Sequence, residues 1–244
     1  MNKTSFRSGL LAGVFGIALA ACATVSPPEP SPNLNASPDA MTSDTHVSRF
    51  NLATEVAALG RELQDPILLL SAARIIAADG LSLTDVESEP ADITAAEAKP
   101  GESTGVTEKA EGESEGLLTG LLSDARRFAR GDDALLAMVM EVEQSASRGS
   151  TTGAGGWTKR VPARGAINIY ERFRGGDIAE VGLQGDGDTD VDLYIYDENG
   201  REICKSIRYD DTEYCEWYPA WTGQFRIKLV NRGSVYNDTV VVTN

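Results

Sequence analysis

Four aspartates set two apart, Asp186, Asp188, Asp190 and Asp192, are the side chains of this sequence most suited to chemistry. Calcium takes about six to eight oxygen ligands from carboxylates and carbonyls. Asp188, Asp190 and Asp192, entered through a loop that contains Gly185 and Gly187, offer one such ion several of them. The spacing is not that of an EF-hand. Val191 stands sixth from Asp186 and Asp197 twelfth, where that loop has Gly and Glu. The run also passes into a strand pattern, in which alternate residues share a face. Asp190 and Asp192 then point the same way, with Tyr194 and Tyr196 further along as a candidate binding face. A plain polar turn leading to a solvated strand face accounts for the same residues, because Asp and Gly are ordinary turn formers.

Little else in the sequence suits catalysis. Histidine is the commonest general base, and the one histidine, His46, falls in a proline-rich tail. Gly149 to Gly156 has the glycines of a phosphate loop without the Lys-Ser/Thr that holds the outer phosphates. Glycoside hydrolysis needs two carboxyls across a cleft. Acids are abundant enough here for pairs to arise by chance, but a small sandwich face seldom supplies the cleft. An enzyme with an unrecognised carboxylate site stays as an alternative.

These side chains must be positioned by two unlike regions. Every Trp and Tyr lies at or beyond Trp157, while the preceding stretch is rich in Ala, Leu, Glu and Ser. Ala and Leu suit helices, and aromatic and β-branched residues suit strands. Leu52, Val56, Leu59 and Leu63 recur at helical spacing. Asp65-Pro66 caps and starts a second stripe of Leu69, Ala72, Ala73 and Ile76, which Gly80 ends. Leu118, Leu121, Leu122, Ala125 and Phe128 make a third stripe, and Leu135, Leu136, Val139 and Val142 a fourth. A shift of 67 residues sets Asp65 on Asp132 and Leu69 on Leu136, so the hairpins are either related or simply alike. The expected class is α+β in two parts: about four helices over 48–148, then an all-β sandwich or jelly-roll-like domain over 157–244, joined by a Gly-rich linker at 149–156. Between the hairpins, residues 85–115 hold ten acids and two lysines. They read as a disordered, solvated insert.

The N-terminal end directs export. Lys3 and Arg7 precede an uncharged run of thirteen residues, Gly9 to Ala21. A bilayer span needs about 20, so residues 1–21 read as a signal peptide. Leu19-Ala20-Ala21-Cys22 resembles the lipobox of bacterial lipoprotein precursors, in which the cysteine is acylated and becomes the new N-terminus. That resemblance implies a lipid-anchored envelope protein. Ala23, rather than Asp, implies the outer membrane. Residues 22–47, with half of the ten prolines, read as a flexible tether. Losing Lys3 and Arg7 moves the formal charge from −15 to −17, which excludes nucleic acid as a partner.

From Trp157 the apolar period is two: Val191, Leu193 and Ile195, then Phe225, Ile227 and Leu229. Asp188 to Gly200 resembles the central strand and turn of bacterial pre-peptidase C-terminal domains, and Trp217 to Leu229 resembles the strand pair that closes them. The resemblance covers roughly Ala166 to Asn244. It implies a β-sandwich that serves as a non-catalytic accessory or binding module, in some members with calcium. The chain carries no peptidase domain, so the usual accessory role does not transfer. The expected partner is the membrane through the anchor, together with an envelope polymer or protein; a purely structural tethered spacer is the other alternative.

Cys204 and Cys215 are the remaining cysteines, and in an exported chain they should pair. A hairpin centred on Tyr209 and Asp210 would set them opposite one another. Metal or redox chemistry would want a nearby His or a Cys-x-x-Cys spacing. Thiol titration of the denatured, unreduced mature protein should find neither cysteine free; two free thiols would refute the pairing.

Overall fold

The computed structural model describes residues 30–36, 45–84, 86–95, 97, 116–146, 155–209 and 211–244. The signal-peptide segment, Cys22, and most of the tether, the acidic insert and the Gly-rich linker lie outside these residues.

Four helices form the two expected hairpins: α1 (His46–Leu63), α2 (Pro66–Asp79), α3 (Leu117–Ala129) and α4 (Asp133–Ala146). The Asp65 carboxylate accepts from the N–H groups of Ile67 and Leu68 at 2.7 and 3.3 Å, ahead of Pro66 at the first helical position. Asp132 caps α4 in the same way, accepting from Ala134 and Leu135 at 2.9 and 3.1 Å. Thr45 and Ser48 form a capping box that starts α1. His46 is therefore the first residue of a helix, not part of a tail. Its Nδ1 lies 3.3 Å from Asp79 Oδ1.

α2 and α3 bury the stripes expected of them; α1 does not. Leu52, Leu59 and Leu63 are exposed, while Ala53, Ala57 and Gly60 are buried against the other helices, beside Leu69 and Leu70. The reason is a close helix approach. A Cβ on Gly60 would come within 3.0 Å of Leu69 Cγ, so small residues face the partner and the leucines are turned outward. The same helix packs its N-terminal end on a sheet: Val47 and Phe50 cluster with Val240 and Val242.

The β part is two five-stranded sheets. In chain order the strands are β1 (Ser82–Thr84), β2 (Glu89–Ala91), β3 (Gly155–Val161), β4 (Ala166–Phe173), β5 (Ala179–Gln184), β6 (Val191–Tyr196), β7 (Glu202–Ser206), β8 (Thr212–Trp217), β9 (Gly223–Asn231) and β10 (Asn237–Thr243). One sheet runs β1-β3-β10-β5-β8 and the other β2-β4-β9-β6-β7, antiparallel except for β1 on β3. Period-two alternation turns Val191, Leu193, Ile195, Phe225, Ile227 and Leu229 into one core. Phe173 packs edge-on against Trp217 and Phe225 within it, and those two rings are tilted on each other, with ring centroids 4.8 to 5.8 Å apart.

Two expectations need correction. First, the acidic insert is not uniformly solvated. Glu89 to Ala91 pairs with β4, and Ala91 and Ile93 lie over Ala166, Tyr194 and Val230 on the outer sheet face. Glu97 is 2% exposed, and its carboxylate takes the Lys228 ammonium at 2.6 Å and the Tyr196 hydroxyl at 2.7 Å. The sandwich thus draws β1 and β2 from before Trp157. Second, part of the proline-rich tether is docked. Asn33 is fully buried; its N–H donates to Asp197 at 3.1 Å, its amide nitrogen donates to the Trp221 carbonyl at 3.1 Å, and its amide oxygen accepts from the Trp221 N–H at 3.0 Å.

Cys204 and Cys215 are bonded, with Cα atoms 6.0 Å apart. They do not sit across a hairpin. β7 pairs with β6 and β8 with β5, so the bond joins the two sheets.

Burial alone would raise the Glu97 carboxyl. The Lys228 ammonium, the Tyr196 hydroxyl and Thr94 outweigh it and hold the group down from 4.5 to about 2. A lowered folded-state value means that ionised Glu97 stabilises the protein above pH 4.5, and that this contribution is lost as pH falls towards 2. Lys228→Met should cost about 3–5 kcal/mol at neutral pH, because it strands a buried carboxylate. Adding Glu97→Leu should recover most of the loss. Denaturant titration measures both, and an unchanged midpoint in the single variant would show that the pair contributes nothing.

Candidate functional site

The aspartate loop lies at one end of the sandwich, held from beneath by a buried polar network. Asp211 accepts from Gly187 N at 2.5 Å, from Gln184 Nε2 at 3.2 Å and from Asn237 Nδ2 at 3.4 Å. Asn237 also donates to the Thr189 hydroxyl oxygen at 3.1 Å, and Thr212 donates to Gln184 Oε1 at 3.0 Å. Burial pushes the Asp211 carboxyl up, against the lowering effect of the Gly187 N–H and Asn237. Gly185 must be glycine here, because a Cβ would stand 2.5 Å from Asn237 Oδ1. Asp186 accepts from Asp238 N at 2.7 Å and so ties the loop to β10.

Beyond this network the chain brings three carboxylates together. Asp190, Asp192 and Glu213 each place an oxygen within 4.8 Å of the others, and they are 3%, 0% and 0% exposed. Arg232 crosses the cluster. Its backbone N donates to the Asp190 carbonyl at 2.8 Å, its Nε to Asp192 at 2.7 Å, and its Nη2 to Asp192 and, at 3.1 Å, to the Tyr194 hydroxyl. Glu213 accepts from Arg208 N at 2.7 Å and from the Ser206 hydroxyl.

The sequence candidates are thus brought together in part. Asp190 and Asp192 share a site. Asp188 is not in it: with Gly187 and Thr189 tied down to Asp211 and Asn237, Asp188 is left partly exposed. Glu213 takes its place. Its signal was legible, since it lies two residues before Cys215 and four before Trp217, on the core-facing side of β8, where an acid is out of place. The donor set is oxygen only, which suits a hard cation such as calcium rather than zinc.

Tyr194 and Tyr196 do not form an open face. Tyr194 is 3% exposed and stacks on Tyr196 at 6.4 Å, beneath the docked insert. Burial and the neighbouring Asp192 push the Tyr194 phenol up to about 12, so it remains a donor. Glu97 and Lys228, which close this face, carry no sequence signal that separates them from other surface charges.

Two open grooves lie elsewhere on the sandwich. One, of about 550 Å³, is lined by Arg172, Phe173, Arg174, Asp177, Ile178, Thr222 and Asn244. The other, of about 470 Å³, is lined by Glu87, Glu89, Tyr170 and Gln224.

No protein-family model matches the chain, and no curated protein matches it. Solved structures do. A Yersinia pseudotuberculosis-derived mitogen aligns over 36% of this chain and 82% of its own, at 15% identity and a TM-score of 0.31. A family 61 carbohydrate-binding module in complex with β-1,4-galactotriose aligns over 36% and 68%, at 11% identity and a TM-score of 0.26. The pre-peptidase C-terminal domain of a collagenase from Bacillus anthracis aligns over 39% and 80%, at 6% identity and a TM-score of 0.23. Likeness at this level assigns no function to this chain.

Calcium held by Asp190, Asp192 and Glu213 would raise the melting temperature of the protein, and Glu213→Gln or Asp190→Asn would remove that gain. Calorimetry in calcium and in chelator checks it; superimposable melting curves would leave the cluster as a structural network.

Proposed function

We propose that this chain is a lipid-anchored cell-envelope protein, held in the outer membrane through Cys22, whose β-sandwich is a non-catalytic binding module. The observation that carries the anchor is the string Leu19-Ala20-Ala21-Cys22, placed directly after an apolar run too short to span a bilayer. Among the described residues, no helix is long and apolar enough to cross a membrane. Two buried acyl chains or more hold a protein firmly, while one binds marginally.

The binding reading is supported by where the chemistry lies. The one grouping of three carboxylates described above is buried, which suits an ion or a structural role and gives a substrate no access. Calcium is the cofactor this grouping would take, ordering the loop end of the module. The open surface is instead grooved and lined by aromatic, amide and charged side chains, which fits recognition of an envelope polymer or protein. The helical hairpins pack against the sandwich through α1 and would scaffold it.

Cys22→Ser should abolish incorporation of labelled palmitate and move the protein from the membrane to the soluble fraction. A variant that fractionates with the membrane as wild type does would sink the anchor.

A further inference from the structure

Two exposed apolar side chains come together where the proline-rich segment docks on the loop between β8 and β9. The Asn33 amide bonds Trp221 on both sides: its oxygen accepts from the Trp221 N–H at 3.0 Å, and its nitrogen donates to the Trp221 carbonyl at 3.1 Å. The Asn35 N–H donates to the Tyr218 carbonyl at 2.7 Å, and its amide nitrogen to the Pro219 carbonyl at 3.3 Å. Leu34 stands between these two clamped residues and is 42% exposed; Trp221 is 41% exposed. The fit is close. A Cβ on Gly223 would come within 2.8 Å of Asn33 Nδ2, and one on Gly175 within 2.5 Å of Trp221 Cα. The indole is held as well, with Nε1 donating to Glu198 at 2.6 Å.

The place of this socket along the chain gives it a consequence. Asn33 stands eleven positions after Cys22. Fully extended, that stretch reaches at most about 40 Å. Without the socket, the next fixed residue is Thr45, the cap of α1, 23 positions after Cys22. Docking of Asn33 therefore halves the leash. Effective concentration falls roughly as the −3/2 power of leash length, so the shorter one raises it about threefold.

We infer that Leu34 and Trp221 rest in the headgroup zone of the bilayer that holds the Cys22 acyl chains, so that the β8–β9 loop faces that membrane. This rests on the anchor proposed above and adds a second, non-covalent contact to it. An indole with part of its ring in view and its N–H tied to a polar group suits the boundary between headgroups and acyl chains, where Trp is enriched. One Trp and one Leu would not recruit a free protein to a bilayer. They need not, because a short tether presents them at an effective concentration in roughly the millimolar range. The bilayer is also the one surface that the anchor itself brings within reach of this loop, whereas a protein partner would have to be supplied separately. Charge does not drive the contact. Arg174 and Asp177 lie 3.5 Å apart in the turn whose Gly175 packs on Trp221, and Glu198 is engaged by the indole. The contact is apolar and does not require anionic lipid.

The test reconstitutes the full lipidated chain into phosphatidylcholine liposomes, with and without phosphatidylglycerol, and compares plain lipid with lipid brominated on the acyl chains close to the headgroup. Bromine quenches only the tryptophans that touch the lipid. The wild-type chain should lose the Trp221 share of its emission in brominated lipid, to the same extent with or without phosphatidylglycerol and at raised salt. Trp221→Phe should abolish that loss, and Leu34→Asp should at least halve it, each at an unchanged melting temperature and with the chain still floating with the liposomes. Quenching that persists in Trp221→Phe places another face on the membrane and overturns the inference. So does quenching that Leu34→Asp leaves untouched, or that vanishes without phosphatidylglycerol or at raised salt. A wild-type chain that floats unquenched overturns the contact, leaves the anchor standing, and hands Leu34 and Trp221 to a protein partner. A wild-type chain that does not float overturns the anchor and the contact together.

Discussion

Lys228 carries its ammonium on an outward strand position and yet is 4% exposed, so water cannot solvate it. The chain answers with an acid 131 residues earlier, and with the Asp92 carbonyl at 2.6 Å. Breaking such a pair strands a charge, and the cost of that is far larger than the net worth of the pair itself. The constraint therefore acts as a requirement on topology. Glu97 must lie over the sandwich, which brings the segment between the hairpins across the sheets and delivers β1 and β2 to their edges. The helices and the sandwich, separable by composition, become a single packed body through that segment and through Phe50 against Val242.

Much of the fold was legible because local rules agree with one another. Asp65-Pro66 and Asp132 cap the helices they announce, and the alternation at 191–195 and 225–229 sets the core. The misreading of α1 has a physical cause. A helical apolar stripe normally faces the interior, but helix approach is limited by bulk, and Ala53, Ala57 and Gly60 permit a closer contact than the leucines would. Periodicity does not record which of two faces can approach more closely.

The site was legible only where sequence neighbours are also spatial neighbours. Asp190, just before β6, and Asp192 within it are two apart and remain together. Glu213 arrives from the opposite sheet: its spacing on β8 marks it as inward-facing, but which carboxylates it meets there depends on how two sheets meet. Asn33 is the extreme case: a polar residue in a proline-rich stretch that composition assigns to solvent, buried completely because four hydrogen-bonding atoms of Asp197, Glu198 and Trp221 fit it. Compositional rules describe average solvation and say nothing of a single complementary socket.

The bond between Cys204 and Cys215 joins the last strand of one sheet to the last strand of the other. Those two strands are sheet edges, the kind of template on which foreign strands add, and the bond holds them against each other. At the opposite margin the terminal strands, β1 and β2, are three residues each, too short to template much. The sandwich is thus sealed covalently along one seam and blunted along the other. The seam can close only where thiols are oxidised. In reducing surroundings the β7–β8 margin stays unlinked, and the chain is then most exposed to self-association.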